Sequence, residues 1–153
     1  MKFHPFKILL VAAGLLLLSG CASLGPQFSG VATVPSGKAL VYLYRPNKFA
    51  GGGASYLVHV NDTLVTRLYN NGYYAYVTDP GETRVWAKTE TTASVTLDLK
   101  PGDIRYVRGG VGMGIIAPRP RLTVVSNTVG RSEIATCKLL PELTKEDREK
   151  ANQ

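Results

Sequence analysis

The sequence predicts an all-β domain, an antiparallel β-sandwich closed by a short C-terminal helix. Three observations carry that expectation. Segments of five to seven residues rich in Val, Leu, Thr and Tyr recur between Lys38 and Ser126. Turn residues punctuate them at close intervals, as Asn61-Asp62, Asn70-Asn71-Gly72, Asp79-Pro80-Gly81 and Pro101-Gly102-Asp103. Helical periodicity is scarce before Gly130. Short strands with frequent turns bury their apolar faces most readily by packing one sheet on another.

Lys38–Tyr44 (KALVYLY) is the first strand and stops at Arg45-Pro46. Asn47 to Ala54, with Gly51-Gly52-Gly53, reads as a loop. Ser55–Val60 and Thr63–Leu68 flank Asn61-Asp62, a pair that accepts φ > 0 and suits a tight hairpin. Tyr73–Thr78 and Thr83–Lys88 read as a hairpin about Asp79-Pro80-Gly81-Glu82, with Thr78 opposite Thr83. Ala93–Leu99 alternates Val95, Leu97 and Leu99 against Ser94, Thr96 and Asp98, the period of a half-buried strand. Ile104–Arg108 follows a Pro-Gly turn, a glycine-rich loop intervenes, and Leu122–Ser126 is the last strand. Gly130–Leu140 reads as a short helix burying Ile134 and Cys137. Thr144 and Asp147 sit at capping-box spacing, and the charged tail 141–153 is expected to fray. The sandwich is immunoglobulin-like or prealbumin-like in kind, and its domain spans 38–140.

The first 37 residues differ in composition. Lys2 and Lys7 precede an unbroken apolar run from Ile8 to Leu18, which ends at Leu18-Ser19-Gly20-Cys21. Eleven apolar residues suit a signal peptide, whereas a spanning helix needs about 20. The Leu-Ser-Gly-Cys stretch resembles the lipobox of bacterial lipoproteins. That resemblance implies cleavage between Gly20 and Cys21, removal of residues 1–20, and acylation of the Cys21 thiol. Each buried CH₂ contributes about 0.8 kcal/mol, so several acyl chains hold a protein firmly. Ala22 after the modified cysteine implies the outer membrane, on its periplasmic face, with the inner membrane as the alternative. Residues 21–37 are small, polar and broken by Pro26 and Pro35. They read as a flexible tether reaching on the order of 20–24 Å.

VYLYRP at Val41–Pro46, VNDTLVTRLYNNGYY at Val60–Tyr74, DPGE at Asp79–Glu82 and LKPGDIRYVR at Leu99–Arg108 together resemble a family of bacterial lipoproteins known only by a domain of unknown function. These are strand and turn motifs. The resemblance implies a fold and brings no catalytic residues with it.

Of 153 residues, 18 are Lys or Arg and 11 are Asp or Glu. With Lys2 and Lys7 set aside, the remaining chain keeps a surplus of five positive charges. No acid lies between Asp103 and Glu133, where Arg105, Arg108, Arg119, Arg121 and Arg131 all fall. Clustered like charge draws anionic partners, so anionic lipid or an acidic envelope polymer is the expected partner there. Nucleic acid is not expected outside the cytoplasm, and other envelope proteins are a further class of partner.

Beyond residue 20, His59 is the only histidine and Cys137 the only cysteine besides Cys21. Structural zinc sites and Ser-His-Asp machinery need more than this, so no metal, cofactor or catalytic group is expected. Cys137 without a partner is expected to be buried. Gly112 to Ala117 fits G-x-G-x-x-A, but Pro118 and Pro120 forbid the helix that a phosphate loop requires. In the expected hairpin Trp86 shares a face with Tyr73, Ala75 and Val77. That aromatic group is either a contact surface or, as expected here, core covered by the second sheet. The function read from sequence is a lipid-anchored, non-catalytic binding or assembly module of the cell envelope. An envelope-polymer hydrolase or transferase using His59 and a structural subunit of a larger complex are the alternatives.

Overall fold

The computed structural model describes residues 23–152. Cys21, Gly20 and the proposed signal peptide lie outside the described residues. Two sheets pack face to face. Strands β1 (Ala39–Arg45), β4 (Gly72–Thr78), β7 (Ile104–Gly112), β8 (Arg119–Val125) and β9 (Lys138–Leu139) form a sheet in the order β8-β7-β1-β4-β9. Strands β2 (Tyr56–Val60), β3 (Thr63–Leu68), β5 (Gly81–Lys88) and β6 (Thr92–Leu99) form the other, in the order β3-β2-β5-β6. Helices α1 (Asn127–Ile134) and α2 (Lys145–Ala151) complete the fold. The β-sandwich is as expected. Its five-stranded sheet is mixed, because β1 runs parallel to β7 and β4 parallel to β9.

β1 is buried along its whole length. Ala39, Val41 and Leu43 point into the core between the sheets. Leu40, Tyr42 and Tyr44 point the other way, into a second core with Tyr106, Ile134 and Cys137. A strand covered on both faces must be apolar on both, which is why KALVYLY lacks alternation. The cover comes from α1 and from the segment before β1. Cys137 is free and buried, as its lack of a partner led one to expect.

That leading segment is not a tether. The Gly25 N–H donates to the Leu139 carbonyl at 2.7 Å and the Phe28 N–H to the Cys137 carbonyl at 2.9 Å. Phe28 meets the rings of Tyr42 and Tyr73 edge-on at 5.6 and 5.3 Å. The Ala32 N–H donates to the Tyr42 hydroxyl at 2.7 Å. Composition suggested freedom, but Leu24, Phe28 and Val34 give the segment apolar side chains to bury. The charged tail does not fray either. Thr144 and Asp147 form a reciprocal capping box, and Asp147 is buried against Arg67 of β3.

The predicted β4–β5 hairpin does not form. Thr78 pairs with Ala39 of β1, and Thr83 pairs with Leu97 of β6. Asp79-Pro80 instead carries the chain from one sheet to the other. Consequently Tyr73 and Trp86 share no face. Tyr73 belongs to the core under the leading segment. In β5, Thr83, Val85 and Ala87 are buried, so Trp86 points outward, half-buried, rather than into the core. The glycine-rich stretch is also strand as far as Gly112. A Cβ at Gly109 would come within 2.3 Å of the Leu68 side chain, which explains a glycine facing the core.

Candidate functional site

Trp86 and His59 are Cα partners on neighbouring strands. Their rings stack at 4.1 Å with 9° between planes, and Arg84 lies over the indole at 5.8 Å. The indole N–H donates to the Asn61 carbonyl at 2.7 Å. Burial lowers the His59 pKa below the ordinary histidine value, so the imidazole is neutral at pH 7. Its Nδ1 is buried without a hydrogen-bond partner among the described residues. Asp62 and Thr63 share a shallow cleft with it, but among the described residues no carboxylate hydrogen-bonds the ring. Among the described residues no cluster of three His, Cys, Asp or Glu could hold a metal ion.

The arginine stretch is divided by the fold. Strand parity puts Arg105 on the face of Val107 and Arg108 on that of Tyr106. Roughly 23 Å of strand separates Arg105 from the level of Gly112, which Arg119 pairs. Acids meet three of the five, two of them from distant positions in the sequence. Asp103 pairs with Arg105 at 3.0 Å, Glu133 with Arg108 at 2.8 Å, and Glu90 with Arg119 at 3.2 Å. Arg131 is exposed on α1, and Arg108 and Arg121 converge on one concavity. The single basic face expected from the acid-free stretch is therefore corrected.

The concavity that does form gains two cations sequence reasoning passed over. Arg45, at the end of β1, is 2% exposed. Its guanidinium donates to the Ala54 carbonyl at 2.6 Å and the Gly51 carbonyl at 2.5 Å, holding the loop between β1 and β2 against the sheet. Among the described residues it meets no carboxylate, and burial lowers its pKa. Lys48 comes from the same loop. Arg45, Lys48, Arg108 and Arg121 surround a groove of about 370 Å³ over Gly110. Glu133 is the one acid in its wall, and it already accepts from Arg108 and, at 2.5 Å, from the Tyr44 hydroxyl.

A second cleft of about 370 Å³ adjoins this groove and shares Ala50 and Val111 with it. Its lining is apolar, from Val111 through Ile115 and Ile116 to Pro118. The tips around it project into solvent: Phe49 is 104% exposed, Met113 94%, Ile116 91% and Ile115 89%. Their exposure is built in. The Glu90 carboxylate accepts from the Ile115 N–H at 3.0 Å and from Arg119, and the Thr89 hydroxyl donates to the Pro118 carbonyl at 2.7 Å. Asn70 fixes the other loop by accepting from the Lys48 N–H at 3.0 Å and donating to its carbonyl at 3.0 Å. The signal for this site was in the sequence. Phe49, Met113, Ile115 and Ile116 are large apolar residues in glycine-rich stretches where no strand buries them.

Fold and site together define a small β-sandwich that holds large apolar side chains exposed on its loops. The chain belongs to the family described as "Protein of unknown function (DUF2846)", whose model matches residues 35–119. That span runs from the entry to β1 to the first residue of β8 and includes both loops of the site. No curated protein and no solved structure matches the chain.

Proposed function

We propose that this protein is a lipid-anchored module of the bacterial cell envelope, carried by acyl chains on Cys21 and working by binding rather than catalysis. It resides on the periplasmic face of the outer membrane. One observation carries the binding reading: an end of the sandwich holds four large apolar side chains out in solvent beside a cationic groove, on loops clasped by Glu90 and Arg45. Exposed apolar surface of this kind marks an interaction site. Proximity supports the anchored reading. Ser23, the first described residue, is two positions past Cys21, and Leu24 packs on the inter-sheet core. On this reading the acyl chains begin within about 11 Å of chain from Leu24, three residues past Cys21. No helix among the described residues is long and apolar enough to cross a membrane.

Growth with a labelled fatty acid tests the anchor. The expected result is label on the wild type, none on Cys21→Ala, and release of that variant from the membrane fraction. An unlabelled wild type overturns the anchor. His59→Ala tests the enzyme reading, since function lost with the fold intact would favour a hydrolase or transferase.

A further inference from the structure

We propose that the cationic groove and the apolar cleft beside it form one site for an anionic membrane phospholipid. The phosphate lies in the groove between Arg45, Lys48, Arg108 and Arg121, and Phe49, Met113, Ile115 and Ile116 enter the acyl layer. This names the ligand of the binding surface described above and rests on that reading.

Charge is the first argument. Four cations face one carboxylate in the groove wall, and Glu133 is already engaged by Arg108 and Tyr44. Arg45 is buried with only neutral carbonyl partners. A buried cation without a counter-ion is costly, and an anion beside it offsets that cost. Gly110 lines the groove, and a Cβ there would meet nothing nearer than the Arg121 Cβ at 3.8 Å, so the backbone at this point is uncrowded.

Continuity is the second argument. The two concavities share Ala50 and Val111, so a ligand filling both must be anionic at one end and apolar at the other. The apolar tips are almost wholly exposed, too few for a protein interface, which buries about 800 Å² on each partner. Projecting apolar tips beside a cationic groove suit a headgroup boundary, where apolar burial and attraction to anionic lipid act together.

The described residues of both cores lie between Leu24 and Leu140. A chain starting at Ser23 thus keeps the folded unit and has no acyl group, which circular dichroism verifies. Cosedimentation with vesicles of phosphatidylcholine containing phosphatidylglycerol, against phosphatidylcholine alone, reads the site. The expected result is salt-sensitive binding to the anionic vesicles. Lys48→Ala with Arg121→Ala weakens it by on the order of tenfold or more, at about 1 kcal/mol per basic group. Phe49→Ser with Ile116→Ser weakens it comparably, and Arg105→Ala leaves it unchanged. Inorganic phosphate competes only weakly, because it lacks the apolar end. Four results overturn the proposal: no vesicle binding by the folded chain; equal loss in Arg105→Ala, which indicates diffuse charge; vesicle binding indifferent to the apolar tips; or full competition by inorganic phosphate, which indicates a free-ion site. Fatty-acid labelling of Cys21 is independent of all these, so failure of the anchor and failure of the site are separately visible.

Discussion

Asp147 shows how a single side chain ties the C-terminus to the sandwich. It caps α2 by accepting from the Thr144 N–H at 3.0 Å and the Thr144 hydroxyl at 2.9 Å, and it pairs with Arg67 of β3. Burial alone would raise its carboxyl. The Thr144 amide, the Arg67 guanidinium and the Thr144 hydroxyl outweigh that and hold its pKa below 3.8. A lowered folded pKa means that the contribution is present above pH 3.8 and is lost as pH falls from there through the folded value. Asp147→Asn is expected to cost about 2–3 kcal/mol near pH 7, since it breaks a largely buried pair and weakens a cap. Urea unfolding across pH checks this, and the gap between variant and wild type should shrink below pH 3.8. The sequence offered the capping spacing but not the partner, because Arg67 lies 80 residues away.

Among the elements, α1 is the least probable helix by composition, with a glycine at its centre. Gly130 is there because α1 lies directly on β7. A Cβ at that position would come within 2.2 Å of the Tyr106 ring, which is fully buried and stacked on Tyr42 at 5.2 Å. Gly130→Ala favours the isolated helix by about 1 kcal/mol in propensity. In the protein it is nevertheless expected to destabilise by about 1–3 kcal/mol, because the ring has nowhere to move. Thermal or denaturant unfolding decides the sign. β4 and β5 teach the same lesson about sheets. Each was recognisable as a strand, and Asp79-Pro80-Gly81 as a turn between them. A turn specifies that the chain reverses, not whether it returns to the same sheet, so the pairing was wrong and Trp86 was assigned to the wrong face.

For the whole molecule, the segment from Leu24 to Val34 changes how the domain is held. A flexible tether would leave the sandwich free to tumble above a bilayer. A segment bonded to β9 and covering Tyr42 instead brings the chain from Gly25 onward onto the folded surface, which under the proposed anchor leaves little free chain before the domain. Hydrogen exchange tests this directly. The amides of Gly25 and Phe28 are expected to be protected well above unfolded values, and Phe28→Ala should release them while β1 stays protected. Charge is redistributed at the same scale. Five arginines from one acid-free stretch are scattered over two ends and two faces, while Arg45 and Lys48 join Arg108 and Arg121 from three stretches of chain.

Local pattern alone determined the sandwich class, most strand positions, the Asn61 turn, the buried Cys137 and the helix cap at Thr144. These depend on alternation, turn chemistry and neighbours a few residues apart. Only the tertiary structure decided which sheet each strand joins, which face Trp86 takes, which acids neutralise which arginines, and that residues 23–37 are packed down. Apart from the Asp103–Arg105 pair, these depend on residues distant along the chain, and such contacts leave no local periodicity. The contact surface falls between the two. Its apolar residues lie in glycine-rich stretches that the sequence marked only as loops, and the buried guanidinium beside them is brought there by the meeting of β1, β7 and β8.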